Sequence, residues 1–475
     1  MSNESRSPGP GDPPAAAPSS PSSSSSSRGG DDAGANVRRA RYSRSRFRAA
    51  SHDSAHADDA PPPEPSDRVN HPLVPHGEPQ MITSARALGE LVEQLRGDGT
   101  FAYDSEFIGE LTYVPKLCLV QVASANRVAL IDPLDGLDLR PFWELLADGA
   151  VEKVVHAGQQ DIEPVFRHTG KAAANLFDTQ IGAAFTGMAY PVALAKLVGE
   201  VVGARLGKAL TFTHWDQRPL SPSQVRYAAD DVRYLPAIRA ELGKRIDALG
   251  HTAWASEEFA ALCEPTQYVF NADVQYLRVR GATSLPPQGL AVLKELVAWR
   301  DGAARAHDVP PRAFLKDEIL VDLSRSPVKT IEKLDRVKGL PRPVEAAHGR
   351  EIVDATIRAL ATPAARMPPG RHVEPTPTER FRADALWAAA QCLCIGQSVD
   401  PALVTSRQEI GEFYRHVSGR GGDPNDIGIL KGWRRAALGE PLLKLMRDGG
   451  TIAFEWSNGT LRAIDASSQV RSSSS

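Results

Sequence analysis

The apolar positions change period along the chain, and the changes divide it. Phe101–Phe107 reads as a strand that ends in acidic residues, and Leu117–Val122, Val128–Ile131 and Val151–His156 read as three more. A helix is expected from about Asp161, then helical patterns at Ile181–Ala184, Pro191–Val198 and Pro222–Leu249. Strands followed by helices predict an α/β domain over residues 79–250, with a connector over 251–282. Beyond it the spacing is helical: Leu290, Leu293 and Val297, then Ile319, Leu320 and Leu323, then Ile352, Ile357 and Leu360. Short turns bearing proline and glycine separate these runs, which predicts a small all-α bundle over 283–362. A proline-rich linker over 363–378 precedes another mostly helical unit, 379–465. That unit is expected to close with a hairpin, Thr451–Trp456 and Thr460–Ile464 around Ser457-Asn458-Gly459.

Composition changes the picture at the ends. Residues 1–78 are dominated by Pro, Ser, Gly, Ala and Asp, with a serine run at Ser22–Ser27. Too little apolar side chain is present there to offset ordering entropy, so a disordered tail is expected, and a second short one over 466–475. Within the first, Arg38 to Arg48 holds six arginines in eleven residues with Tyr42 and Phe47 interleaved. Such an arm can meet phosphates and stack on unpaired bases, or serve only as a solubilising tail.

The chain of 475 residues carries 55 Lys+Arg against 58 Asp+Glu, a net charge of −3, which excludes a uniformly basic coat protein. Its four cysteines, with only Leu393 between Cys392 and Cys394, suit neither a disulfide framework nor a zinc site. No run approaches the ~18 apolar residues of a membrane helix, and the start lacks a secretory pattern. A soluble cytoplasmic protein is expected.

Three acidic clusters carry candidate chemistry. Asp104 and Glu106 are two apart on a strand and face one way, so their like charges need neutralising, which a divalent cation does directly. Taken alone, the pair is also what a solvated strand end looks like. Asp161 follows the strand and turn Val154-Val155-His156-Ala157-Gly158 at a helix start, where an acid often serves only as a cap. Tyr227 and Asp231 are four apart on a helix and share a face, whereas Asp230 lies some 100° away. Together, four carboxylates can hold two hard cations that clamp the attacking and leaving oxygens of a phosphodiester displacement.

These residues resemble the ribonuclease D family of 3′–5′ exonucleases, which carry four acids and a tyrosine. The resemblance rests on Asp104-Ser105-Glu106-Phe107, Leu119-Val120-Gln121 and Ile131-Asp132-Pro133. It continues through Val155-His156 to Asp161, Phe177-Asp178-Thr179-Gln180, Lys208, Trp215 to Leu220, and Tyr227 to Val232, over nearly all of the α/β domain. It implies a ribonuclease H-like fold with a mixed sheet. It also implies Asp104, Glu106, Asp161 and Asp231 as ligands of two divalent cations, Mg²⁺ or Mn²⁺, with Tyr227 orienting the attacking water. One cation would activate that water and the other would stabilise the leaving oxygen. Ser105 stands where the family more often has threonine, a change on the opposite strand face that should matter little. His214 replaces a commoner acid before Trp215. Asp178 is read as structural, while Lys208 and Arg218 either contact substrate phosphates or are, respectively, a solvated charge and a brace of the fold.

The run Leu290 to Arg305, with Asp308-Val309-Pro310, Leu320 and Pro327, resembles the helical domain shared by RecQ-type helicases and ribonuclease D, an accessory nucleic-acid-binding bundle. Lys294, Arg305, Arg312, Lys316, Lys329, Lys333, Arg336 and Lys338 give it a basic character, and Trp299 is read as core. The implied activity is trimming of RNA from its 3′ end, with transfer-RNA precursors as substrate. A DNA exonuclease and an inactive RNA-binding scaffold are the rival readings. On either active reading, a chain ending near Leu249 should keep the catalytic site.

Overall fold

The computed structural model describes residues 69–207, 214–361, 376–420, 424–447, 452–457 and 460–464. The arginine-rich arm, Lys208, most of the proline-rich linker, the Asn458-Gly459 turn and the tail over 466–475 lie outside them.

One six-stranded mixed sheet organises the α/β domain. Its strands are β1 (Gln80–Ile82), β2 (Thr100–Ile108), β3 (Lys116–Ala123), β4 (Val128–Ile131), β5 (Glu152–Val155) and β6 (Leu176–Asp178), in the order β1-β4-β3-β2-β5-β6. β2 is internal, antiparallel to β3 and parallel to β5. Its pairing with β5 ends at Ala102↔Val154, so Asp104 and Glu106 lie beyond the last rung on that side. On the other side the register with β3 shifts between Glu106 and Phe107. A bulge of this kind re-aims the side chains next to it.

Helices cover both faces. On one, α1 (Ala85–Asp98) and α2 (Arg140–Leu146) bury Leu88, Leu91, Leu95 and Phe142 with Phe101 and Tyr103 of β2. The α1 start is capped by Ser84, whose hydroxyl accepts from the Ala87 N–H. α3 (Glu163–Thr169) and α4 (Thr179–Ala184) follow β5 and β6, and α5 (Leu194–Val201) leads toward the opposite face.

The long helix expected over Pro222–Leu249 is two, α6 (Pro222–Arg233) and α7 (Leu235–Ala248). Pro236 explains the break. It has no N–H to offer the Val232 carbonyl, and its ring would collide with that carbonyl in a continuous helix. A reciprocal cap opens α6: Ser221 accepts from the Gln224 N–H and the Gln224 side chain accepts from the Ser221 N–H.

α8 (Thr252–Leu262) leads to the bundle, formed chiefly by α9 (Pro287–Ala306), α10 (Asp317–Arg325) and α11 (Arg342–Ala361). Leu290, Leu293, Leu296, Leu320, Leu323 and Ile352 build a core that is its own. Ile357, expected inside, is 48% exposed. The last segment holds α12 (Pro377–Gly396), α13 (Arg407–Val417), α14 (Glu440–Arg447) and the hairpin β7 (Ala453–Ser457) with β8 (Thr460–Ile464). Its helices do not form a separate core. Ala390, Phe413, Trp433 and Leu442 join Phe185, Val232 and Leu242 of the α/β domain in one apolar cluster. Among the described residues, no helix is long and apolar enough to cross a membrane.

Candidate active site

Alternation along β2 sends Asp104 and Glu106 to one face, and α6 brings Tyr227 and Asp231 against it. Trp215 and Ala228 are buried with Leu119 of β3, and Tyr227 packs against that group with its ring 6.2 Å from Trp215. The face of α6 is thereby set. Asp230 points away and pairs with Arg233 at 3.2 Å, and that guanidinium donates to the Pro75 carbonyl at 2.6 Å.

The carboxylates of Asp104, Glu106 and Asp231 each place an oxygen within 4.8 Å of the others. Asp161 is beside them but outside that group. It ends the turn after β5, where Ala157 has φ +56° and a Cβ on Gly158 would lie 2.5 Å from that of Val155. Glycine is therefore required there. Asp178 holds the same turn, accepting from the N–H groups of Ala157 and Gly158 at 3.2 and 3.1 Å while capping α4. Its role is structural.

Two residues on the other face of β2 orient Asp161. Tyr103 donates to its carbonyl at 2.7 Å, and the Ser105 hydroxyl donates to its carboxylate. The exchange of threonine for serine keeps the hydroxyl that makes this bond, but position 105 has a role that its face of the strand does not suggest: at the strand end, a side chain of the second face reaches the same acid. Sequence reading missed both residues, since alternation alone turns them from the site. The signal available was that Ser105 is a small hydroxyl between two acids.

The cleft around these groups has a volume of about 360 Å³, and Phe107, Leu194 and Leu235 add apolar wall to the carboxylates. His156 completes one side, its Nδ1 2.9 Å from the Thr179 hydroxyl, and burial lowers its pKa. Arg218 is not among the lining residues. It forms a fork on Asp132 and donates to the carbonyls of Cys118 and Trp215 at 2.7 and 2.8 Å, bracing the fold.

The electrostatics are those of crowded acids short of water. Burial, then the charges of Asp231 and Asp161, pushes Glu106 up to about 8. Burial also raises Asp231 to about 7, against the hydrogen bond it receives from Tyr227. Asp161 rises to about 6 through burial, opposed by the Ser105 hydrogen bond. Asp104 is raised well above the carboxylate range by burial and by Asp161, Asp231 and Glu106. Tyr227 is raised by burial and by the same carboxylates, so its hydroxyl keeps its proton at neutral pH. Among the described residues, several acids and no basic side chain but a neutral-leaning His156 line the cleft. Oxygen donors in that excess suit a hard divalent cation.

The family model described as 3′-5′ exonuclease matches residues 79–247, and the HRDC domain model matches 289–356. A ribonuclease D of Gluconacetobacter diazotrophicus is 34% identical over 376 residues, covering 78% of this chain and 93% of the relative. The chain belongs to the ribonuclease D family. The ribonuclease D of Pseudomonas paraeruginosa is also 34% identical, over 77% of this chain and 97% of its own. The crystal structure of Escherichia coli RNase D, described as an exoribonuclease involved in structured RNA processing, aligns at a TM-score of 0.68 and 29% identity. It covers 79% of this chain and 100% of that one. As a member of the ribonuclease D family, the protein is a 3′–5′ exoribonuclease acting on RNA.

Proposed function

We propose that the enzyme trims the 3′ ends of RNA, transfer-RNA precursors foremost, and releases nucleoside 5′-monophosphates with the help of two divalent cations. Asp104, Glu106 and Asp231 would hold them directly, with Asp161 turning from Ser105 to complete the set. When bound, such cations neutralise charge on the scissile phosphate and activate a water. The chain's own residues do the rest. Tyr227 stays protonated, donates to Asp231, and offers its oxygen lone pairs to orient an attacking water, so it serves as a positioning group and not as a base. Phe107, Leu194 and Leu235 give the terminal nucleotide an apolar wall that excludes bulk water.

The observation that carries this reading is the meeting of three carboxylates within 4.8 Å beside the Tyr227 hydroxyl. The test is a 3′-trimming assay on RNA and on a matched DNA oligonucleotide, with Mg²⁺, Mn²⁺ or chelator. Asp231→Asn should lower RNA trimming by ~100-fold or more, while Asp230→Asn, aimed at Arg233, should be mild. Full activity in chelator, or the reverse order of the two variants, would refute the assignment.

A further inference from the structure

We infer that the helical bundle carries a metal site of its own, formed by His307 and His348 and suited to a borderline transition ion such as Zn²⁺ or Cu²⁺. His307 follows the last residue of α9, His348 lies on α11, and their Nε2 atoms are 3.1 Å apart. Two imidazole nitrogens at about 2.0–2.1 Å from one tetrahedral Zn²⁺ are roughly 3.3 Å apart. The pair therefore has nearly the spacing an ion requires.

The proton positions follow from the surroundings. Nδ1 of His348 is 3.1 Å from Glu351 Oε2, so it carries the hydrogen and donates to that carboxylate. The Nε2 of His348 then presents its lone pair to His307. A carboxylate behind the far nitrogen fixes the ligating tautomer and makes the near nitrogen a better donor to metal. Glu351 is itself fixed by the Trp299 N–H at 2.7 Å.

The rings are held before any ion arrives. His307 stacks on Phe314 at 5.5 Å and 21°, while His348 meets Phe314 edge-on at 5.4 Å. The His348 side chain is only 15% exposed, whereas His307 is exposed, so waters can complete a coordination shell from one side. Without an ion, one N–H···N bond joins the imidazoles. An ion would take the place of that bridging hydrogen, which moves through solvent to Nδ1 of His307, so both rings ligate as neutral imidazoles and acid competes with the ion. Imidazole favours Zn²⁺ and Cu²⁺ strongly over Mg²⁺, whereas the carboxylates of the cleft also suit Mg²⁺ and Mn²⁺. The site would also join α9 to α11 beside Asp308, whose carboxylate accepts from the Tyr113 N–H in the loop after β2.

The experiment is calorimetric titration of the full chain with Zn²⁺ in excess Mg²⁺, together with Cu²⁺ electron paramagnetic resonance. One equivalent should bind, and the Cu²⁺ signal should show coupling to two imidazole nitrogens. His307→Gln, at an exposed position where folding is tolerant, and His348→Gln should each weaken binding at least tenfold. Glu351→Gln should weaken it about 10–100-fold, and Asp231→Asn should leave it unchanged. Undiminished binding in both histidine variants, loss only in Asp231→Asn, or a Cu²⁺ signal without nitrogen coupling would overturn the site.

Discussion

The two helical regions that follow the catalytic domain are attached to it by different physics. The bundle of α9, α10 and α11 closes its own apolar core and meets the catalytic domain at a polar clasp. There the Tyr113 hydroxyl donates to Asp301 at 2.7 Å and accepts from Arg305 at 2.9 Å, with the Arg305 guanidinium 4.7 Å above its ring. The later segment is farther along the chain yet continuous with the catalytic core. Trp433 lies 4.9 Å from Phe185 and 5.8 Å from Trp254, and its indole N–H donates to Glu258 at 2.8 Å. Proximity in sequence thus says little about which region belongs to the catalytic fold. Shared apolar burial says more, because it is the term that makes unfolding cooperative.

The sharpest way to break this contrast is to cut the shared core. Trp433→Ala should cost about 3–5 kcal/mol, seen by calorimetry as a lower transition for the catalytic domain itself. A chain ending near Leu249 should for the same reason expose Phe185, Leu242 and Ile246 and lose its stable fold, against the expectation from sequence. If that chain melts cooperatively and trims RNA normally, the shared core is dispensable.

What was legible beforehand follows the same line. The acids of β2 and the Tyr227–Asp231 pair could be read because strand and helix periods fix faces locally. β1 and β6 could not, since three residues are too few to show a period. The reach of Ser105 to Asp161 depends on where a strand stops, and the fusion of Trp433 with Phe185 depends on tertiary contact. Neither leaves a local pattern. The membership of the chain in its family, by contrast, rests on likeness spread along the chain, 34% identity over 376 residues to one ribonuclease D.

A smaller effect should come from the site's own charges. In the ion-free protein, Glu106, Asp231 and Asp161 hold protons up to about 8, 7 and 6, whereas unfolded carboxylates release theirs near pH 4. The folded chain then binds more protons across roughly pH 4–8, so its stability falls as pH rises through that window. Thermal melts in chelator should show the catalytic transition a few degrees lower at pH 8 than at pH 5. Asp231→Asn should flatten this slope and raise the pH 8 melting temperature while abolishing trimming. Added Mg²⁺ should restore stability to the parent and less to the variant. A parent slope of the opposite sign would refute the crowding of these acids.

The smallest expected effect lies at the clasp. Tyr113→Phe keeps the ring under Arg305 but removes the hydroxyl that joins Asp301 and Arg305, a loss of about 1 kcal/mol. Asp301 is buried, and contact with it helps hold the Tyr113 hydroxyl proton, pushed up to about 12 after burial itself. The clasp should therefore persist unchanged across the neutral range. Because the bundle owns its core, its melting should hardly move, and the catalytic transition should stay where it was. What should change is their coupling. Proteolysis in the stretch between Leu262 and Pro287 should quicken in Tyr113→Phe, and more in Tyr113→Ala, while short unstructured RNA is trimmed at the parent rate. Trp433→Ala should do the reverse, lowering the catalytic transition without loosening that stretch first. Equal proteolysis in parent and Tyr113→Ala would mean the two regions are joined by something other than these polar contacts.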